Sequence, residues 1–571
     1  MANTALDGKP YAGNPHVRID EGDGASAKPR RSSLLYKMRK TVLAVALAAM
    51  AAQAEFTVDK SVMSAKYWEI WNETEMARIN ADIEKYRKAD ASIEIAVPDG
   101  TEVSVDQVAS DFYFGAHIFN FNQLGKKEWN DRYKALYDAD TGLFNSGTVA
   151  FYWRTLEPYP NSPRFEERYE DTENFWNACA KPQLQAHWRR PAPDPVIVHL
   201  RRGGCRIHGH PLVWGCNEWM TPSWIWEVFT PESEKVALQR RCSVRIPRHD
   251  FMKPAGTKDS SYSHAWQTAW YRVYSQLSEQ EIEAIVPSFV KAQRHFMEKR
   301  IRDIGERYGA VVDSWDAVNE SATDWANGAK RSWPDGESAA FNRLPVTKSV
   351  YGLMPANYAH QAITLSRKAM RPSAKLTVNE YNMTAFPGQI KDLEKHGADF
   401  DVVGSQMHLF NPKESLSIAA GEGPKHLRPQ GIRARFESVA KAAGKRPIHL
   451  SEITITAPDL TPKGQMIQAI IACNCYRAWF AVEKMNGITW WNVVDGCGAP
   501  GEPSISGMFT RDMKPKAVYH AMEDLLHREF RTHTKVKTQG GKVAFRGFRG
   551  RYHLHWKTPD GKNGYRSIDL K

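Results

Sequence analysis

Two glutamates stand at strand-like segments far apart in the chain. Glu320 closes "VVDSWDAVNE" (311–320), and Glu452 lies within "RPIHLSEITI" (446–455). A lone carboxylate at the end of an apolar segment ordinarily anchors a loop. Two of them, each preceded by a small polar residue (Asn319 and Ser451), suggest a working pair. Hydrolysis of a glycosidic bond needs such a pair. One carboxyl group, kept protonated by burial and by its partner's charge, gives a proton to the leaving oxygen. The other, an anion, attacks the anomeric carbon, with the two groups about 5–5.5 Å apart in retaining enzymes. Glu380 in "KLTVNEYN" and Asp495 in "GITWWNVVD" occupy comparable positions and are further candidates. Asn319 is suited to hold a sugar hydroxyl beside Glu320. His408, near the end of "FDVVGSQMHLF", is suited to hydrogen-bond Glu452 and keep it ionised.

These residues can meet only if their segments converge. Eight short β-rich segments run from "DFYFGAHIF" (111–119), "LFNSGTVAFYW" (143–153) and "CRIHGHPLVW" (205–214) through the five containing the candidates above. Helical patterns separate most of them, among them "LSEQEIEAIVPSFVKAQRHFMEKRIRDIGERYG" and "GQMIQAIIACNCYRAWFAVEKM". This alternation predicts an α/β protein built as a closed (β/α)8 barrel of TIM type, whose strands are buried on both faces and whose polar C-terminal ends form the working rim. Glu320, after the fourth strand, and Glu452, on the seventh, would then reach inward across the mouth. Long loops at 240–265 and 321–350 are expected on or near that rim.

The expected organisation has four parts. Residues 1–54 form a leader, with a secretory signal at 38–54: basic Arg39 and Lys40, an apolar run from Val42, and an Ala52-Gln53-Ala54 cleavage site. The polar stretch before Met38 points to Met38 as the true start. Residues 55–110 form an N-terminal extension of one polar helix and a β-hairpin turning at Pro98-Asp99-Gly100, 111–530 the barrel, and 531–571 a short C-terminal β extension. The chain of 571 residues is 42% hydrophobic and 11% aromatic, which provides for a large core and excludes collagen, low-complexity disorder and a polytopic membrane protein. The net charge is +12, and basic and aromatic residues interleave conspicuously in "FRGFRGRYHLHWKTPDGKNGYRSIDLK". A nucleic-acid surface would have this composition, but so would an amphipathic strand pair with solvated Arg and Lys, which is the reading adopted. Seven cysteines include no CxxC spacing, so no zinc site is expected. Most read as buried thiols, with a disulfide left open.

The chain from about Asp111 to Phe530 resembles glycoside hydrolase family 10, the endo-β-1,4-xylanases. "WDAVNE" is similar to that family's W-D-V-V-N-E, which implies Glu320 as acid/base and Asn319 as its sugar-binding neighbour. "LSEITI" takes the place of I-T-E-L-D and implies Glu452 as nucleophile. "HGHPLVW" resembles R-G-H-T-L-V-W, "GSQMH" resembles G-x-Q-S-H, "VNEYN" resembles I-N-D-Y-N, and "TWWNVVD" resembles V-W-G-V-x-D. Together these imply substrate contacts by His210, Trp214, Gln406, His408 and Trp491. The chain departs from the pattern in Tyr152 for a substrate-binding Lys, Val149 for Asn, His208 for Arg, Gly215 for His and Asn217 for Gln. It also lacks a second Trp in "GCGAPGEP". The resemblance implies a divergent member acting on a polysaccharide, with the reaction type carried over more firmly than the substrate, for which a xylan-type β-1,4-glycan is the first expectation; with the leader, a secreted or periplasmic monomer is expected. It implies no metal, cofactor or nucleic-acid partner, and no membrane contact after signal cleavage. Another β-glycan as substrate, a non-catalytic carbohydrate-binding barrel, and a metal-dependent amidohydrolase-type barrel built around "HGH", His408 and Asp495 are the competing readings.

Overall fold

The computed structural model describes residues 56–216, 220–247, 259–327, 346–349, 352–499 and 501–571. The expected signal segment (38–54) and Asn217 lie outside the described residues, as do much of the two long loops.

Eight parallel strands close a ring: β1 (Tyr113–His117), β2 (Ser146–Ala150), β3 (Arg206–His210), β4 (Ser314–Asn319), β5 (Lys375–Glu380), β6 (Val402–Leu409), β7 (Ile448–Ile455) and β8 (Met485–Trp490). Each pairs with the next, and β8 returns to β1, where Gly487 faces Tyr113 and Trp490 faces Ala116. The third segment of the sequence is broken, and Val213–Trp214 continues it as a two-residue strand against Val318 and Asn319 of β4. The barrel interior is tight. Trp315 of β4 is fully buried, and a Cβ on Gly209 of β3 would lie 2.2 Å from its ring. Only glycine lets these two strands approach with that indole between them.

The outer helices follow the sequence pattern with two breaks. The expected continuous helix near 277–309 divides at Val286, because Pro287 cannot continue the first helix, Glu279–Ile285, and instead begins Pro287–Tyr308. The N-terminal helix divides at Trp71, where the Asn72 side chain accepts the Glu75 amide at 3.0 Å and starts Glu73–Arg87. Helix Pro462–Phe480 is packed on both sides, so Cys473 and Cys475 are both buried. All seven cysteines are free thiols.

The hairpin expected at Pro98-Asp99-Gly100 does not form. Strand Lys88–Glu94 pairs with Lys542–Phe548, whereas strand Glu102–Ser110 lies between His533–Lys537 and Gly550–Lys557. The C-terminal strands Lys542–Phe548 and Gly550–Lys557 likewise pair with N-terminal partners rather than with each other. Strand Asn563–Leu570 completes the four-stranded sheet. The two chain segments thus interleave around a small core of their own, which includes Val103, Val105, Val543, Tyr552 and Leu554. The basic side chains there alternate outward, and several form ion pairs at the surface, such as Arg551 with Asp569. No helix among the described residues is long and apolar enough to cross a membrane.

Candidate functional site

The C-terminal ends of the barrel strands surround a cavity of about 730 Å³. Eight of the ten residues singled out in the sequence line it: Glu320, Glu452, His210, Trp214, Asn319, Gln406, His408 and Trp491. Register shifts in β5 between Thr377 and Val378, and in β6 between Ser405 and Gln406, fall just before residues that reach the site. Such irregularities re-aim side chains at barrel rims.

At the centre is the side-chain amide of Gln406. Its Nε2 donates to Glu320 Oε1 at 3.1 Å and to Glu452 Oε1 at 3.0 Å. Because one nitrogen touches both oxygens, they lie within about 6 Å of each other, consistent with the short separation that a retaining pair needs. Glu452 is held from several sides. Asn379 Nδ2 donates to Oε1 at 2.8 Å, His210 Nδ1 stands 3.9 Å from the same oxygen, and His408 Nε2 stands 3.5 Å from Oε2. Asn379 also donates to Asn319 Oδ1 at 2.8 Å, and its side-chain Oδ1 accepts the Ser451 hydroxyl. Burial first, and the charge of Glu452 second, push the Glu320 carboxyl up to about 8. It is therefore the member of the pair that carries a proton at neutral pH.

Around the pair, His210 bonds Asp316 Oδ2 through Nδ1 at 2.7 Å and approaches the Tyr152 hydroxyl through Nε2 at 3.2 Å. His208 Nε2 also lies 2.9 Å from Asp316 Oδ2. Burial would raise the Asp316 carboxyl, but the two imidazoles outweigh it and hold it well below the usual range. The "HGH" rings are thus turned onto one buried carboxylate. Among the described residues, no group of three or more His, Cys, Asp and Glu is arranged to hold a metal ion. Trp491 packs edge-on against His210 and Phe119, with centroids 5.3 Å away in each case, and forms one wall.

The two remaining carboxylate candidates are outside the cavity. Glu380 is fully buried and accepts the backbone amides of Ala322, Tyr381 and Asn382 at 2.6 to 2.9 Å. Burial outweighs these bonds and raises it to about 7. Asp495 pairs with the buried Lys516 at 3.1 Å and accepts the Gly507 amide at 2.7 Å. Both brace the rim.

Asn379 was not anticipated as a site residue, although its "VNE" repeats the "VNE" that ends at Glu320. Nor were Arg189, Arg190 and Glu502, which line the cavity beside Tyr152. Their loops offer no periodicity to read. One departure from the family pattern has a steric side: a Cβ on Gly215 would meet Ser349 Oγ at 2.6 Å and Asp324 Oδ2 at 2.9 Å, so a histidine there would displace those side chains.

The sequence description of Glycosyl hydrolase family 10 matches residues 264–525, a span that holds both glutamates. Over that span, a little under half of its length, the chain is similar to the family. Curated relatives include endo-1,4-beta-xylanase A of Halalkalibacterium halodurans, 31% identical over 120 residues, which are 20% of this chain and 26% of the relative. Endo-1,4-beta-xylanase A of Phanerodontia chrysosporium is 26% identical over 195 residues, 33% of this chain and 40% of the relative. The chain therefore spans 26% and 40% of the length of these two relatives. Among solved structures, native xylanase 10B from Thermotoga maritima is 16% identical with a TM-score of 0.44, covering 73% of this chain and 96% of that one.

Proposed function

We propose that this chain is a retaining β-1,4-glycan hydrolase that acts on xylan, with residues 111–530 as its catalytic unit. Glu452 attacks the anomeric carbon while Glu320 donates its proton to the departing glycosidic oxygen, leaving a covalent glycosyl–enzyme. Glu320, now an anion, then takes a proton from water, which attacks the same carbon and releases Glu452. The net result is two displacements and a retained configuration. Asn319 binds the sugar 2-hydroxyl. His210 and Gln406 orient the sugar at the reacting position, His408 holds Glu452, and Trp214 and Trp491 supply flat faces for sugar rings.

The single Gln406 amide that touches both carboxyl groups carries this reading, because it holds Glu452 within one bond-cleaving distance of the protonated Glu320. The xylanase names of the two curated relatives support xylan as the substrate. The basic–apolar–A-x-A leader supports export, and we propose that the mature chain acts as a monomer. The direct test is incubation with xylan, arabinoxylan, glucuronoxylan and mixed-linkage glucan, followed by sizing of products and NMR of the freshly released anomer. The expected result is oligosaccharides from xylan with a β anomer. Release of the α anomer first, or no cleavage of any of the four, overturns the reading.

A further inference from the structure

Beside the reacting pair, the cavity wall is built from Tyr152, Arg189, Arg190 and Glu502. The two arginines differ in what surrounds their charge. Arg189 has an anionic neighbour, with NH2 lying 3.7 Å from Glu502 Oε2 and also donating to Asn492 Oδ1 at 3.1 Å. Glu502 in turn is fastened by Asn492 Nδ2 and the Ala499 amide, both at 2.8 Å. Arg190 is 8% exposed and has no carboxylate at ion-pair distance among the described residues. Its guanidinium lies over the Tyr152 ring, 3.6 Å from the centroid, and donates only to the Arg189 carbonyl, at 2.9 Å. The rest of its planar fork of donors has no acceptor among the described residues.

A largely buried cation with one neutral acceptor is costly to keep, and the site gains when an anion arrives. Burial pushes the Arg190 guanidinium down to about 10 and the Arg189 charge adds to this, while Tyr152 and the more distant Glu502 draw it only partly back. The position identifies the anion. Tyr152, on which Arg190 stacks, approaches His210 at 3.2 Å, and His210 stands 3.9 Å from Glu452. Arg190 is therefore set back from Glu452 by the width of two side chains, on the wall of the same cavity. A guanidinium fork matches a carboxylate in two-point geometry.

We propose that Arg190 reads the carboxylate of an acidic sugar, a uronate residue of the glycan, bound on the Tyr152 side of the cavity. This rests on the cavity being a glycan site and narrows the substrate to β-glycans that carry uronates. Arg189 and Glu502 brace the arginine loop, and Tyr152 replaces with an aromatic face the cation that the family pattern carries at its position.

The test uses the full chain carrying Glu452→Gln, so that ligand survives, and isothermal titration calorimetry at low salt. The probes are a β-1,4-linked disaccharide with glucuronic acid as its non-reducing sugar, and the methyl ester of the same compound. The acid is expected to bind about tenfold or more tightly than the ester. The ratio should fall towards one in Arg190→Met and be partly kept in Arg190→Lys. Melting curves of both variants separate loss of selectivity from loss of fold. Equal binding of acid and ester by the Glu452→Gln protein, absence of binding by either, or a ratio untouched by a folded Arg190→Met overturns the proposal. Hydrolysis of neutral xylan with no acid preference would sink the uronate site alone. Acid-selective binding by a wild-type chain that hydrolyses nothing would sink the proposed activity alone.

Discussion

The tripeptide Val-Asn-Glu ends two neighbouring strands, residues 318–320 at β4 and 378–380 on β5, and the register lays the copies side by side, Val378 against Val318 and Asn379 against Asn319. They then diverge. The chain turns to a positive φ of 53° at Glu320, whose amide donates to the Asn379 carbonyl at 2.8 Å, and the Glu320 side chain enters the cavity. Glu380 stays in the strand, so the alternation of faces carries it behind the rim onto three backbone amides. The asparagines remain equivalent and bond each other. One inverted residue, a backbone state that a glutamate adopts only at some cost, converts a bracing carboxylate into one that faces the cavity.

If cavity-facing and bracing carboxylates differ in this way, removing them should have separable consequences. The largest effect is expected for Glu452→Ala: a fall in kcat of about four orders of magnitude with an unchanged melting temperature. Azide should restore turnover and release a product of inverted configuration. Glu320→Ala should cost about 10²- to 10⁴-fold on substrates with poor leaving groups and much less on activated aryl glycosides in the first step. Equal losses on both would remove its assignment as the acid.

The proton on Glu320 also has a pH signature. With the carboxyl raised from 4.5 to about 8, kcat/KM should decline as pH passes about 8. The folded state holds this proton more tightly than the unfolded chain. Its stabilising contribution is therefore complete below pH 4.5 and is lost as pH rises through about 8. Glu320→Gln should accordingly gain stability relative to the parent across that interval, read from paired melting curves.

Asp495→Ala addresses the bracing class. It leaves the buried Lys516 ammonium without its carboxylate and should lower stability by about 3–5 kcal/mol in urea titrations, while the folded fraction keeps its kcat. The smallest change is expected for Gln406→Met, a loss of about tenfold in kcat, or about 1.4 kcal/mol. Because the Gln406 bond lowers the Glu320 carboxyl, its removal should move the basic limb to higher pH.

The barrel and its two cavity glutamates were legible because their signals are local: apolar strand segments, helical spacing between them, and polar residues at strand ends. The same locality explains the failures. "VNE" reads identically at 318–320 and 378–380, and only the backbone inversion at Glu320 separates them. The alternation in "ASIEIAVPDGTEVSVDQV" correctly marks two strands, but their nearest neighbour in sequence is not their partner in space. Arg189 and Arg190 sit in a polar loop with no repeating pattern, and a consecutive arginine pair does not reveal that Glu502 stands at ion-pair distance from Arg189 alone of the two.

The interleaved side sheet has a consequence for how the polypeptide is made. Strand Glu102–Ser110 is an inner strand whose neighbours, His533–Lys537 and Gly550–Lys557, leave the ribosome only after the whole barrel. Throughout synthesis of the barrel it waits with both hydrogen-bonding edges bare, a template for stray pairing between nascent chains. Docking of the tail is then a late, long-range closure that is slow by topology. A chain clipped shortly before residue 533 should keep its barrel strands and yet be prone to aggregate.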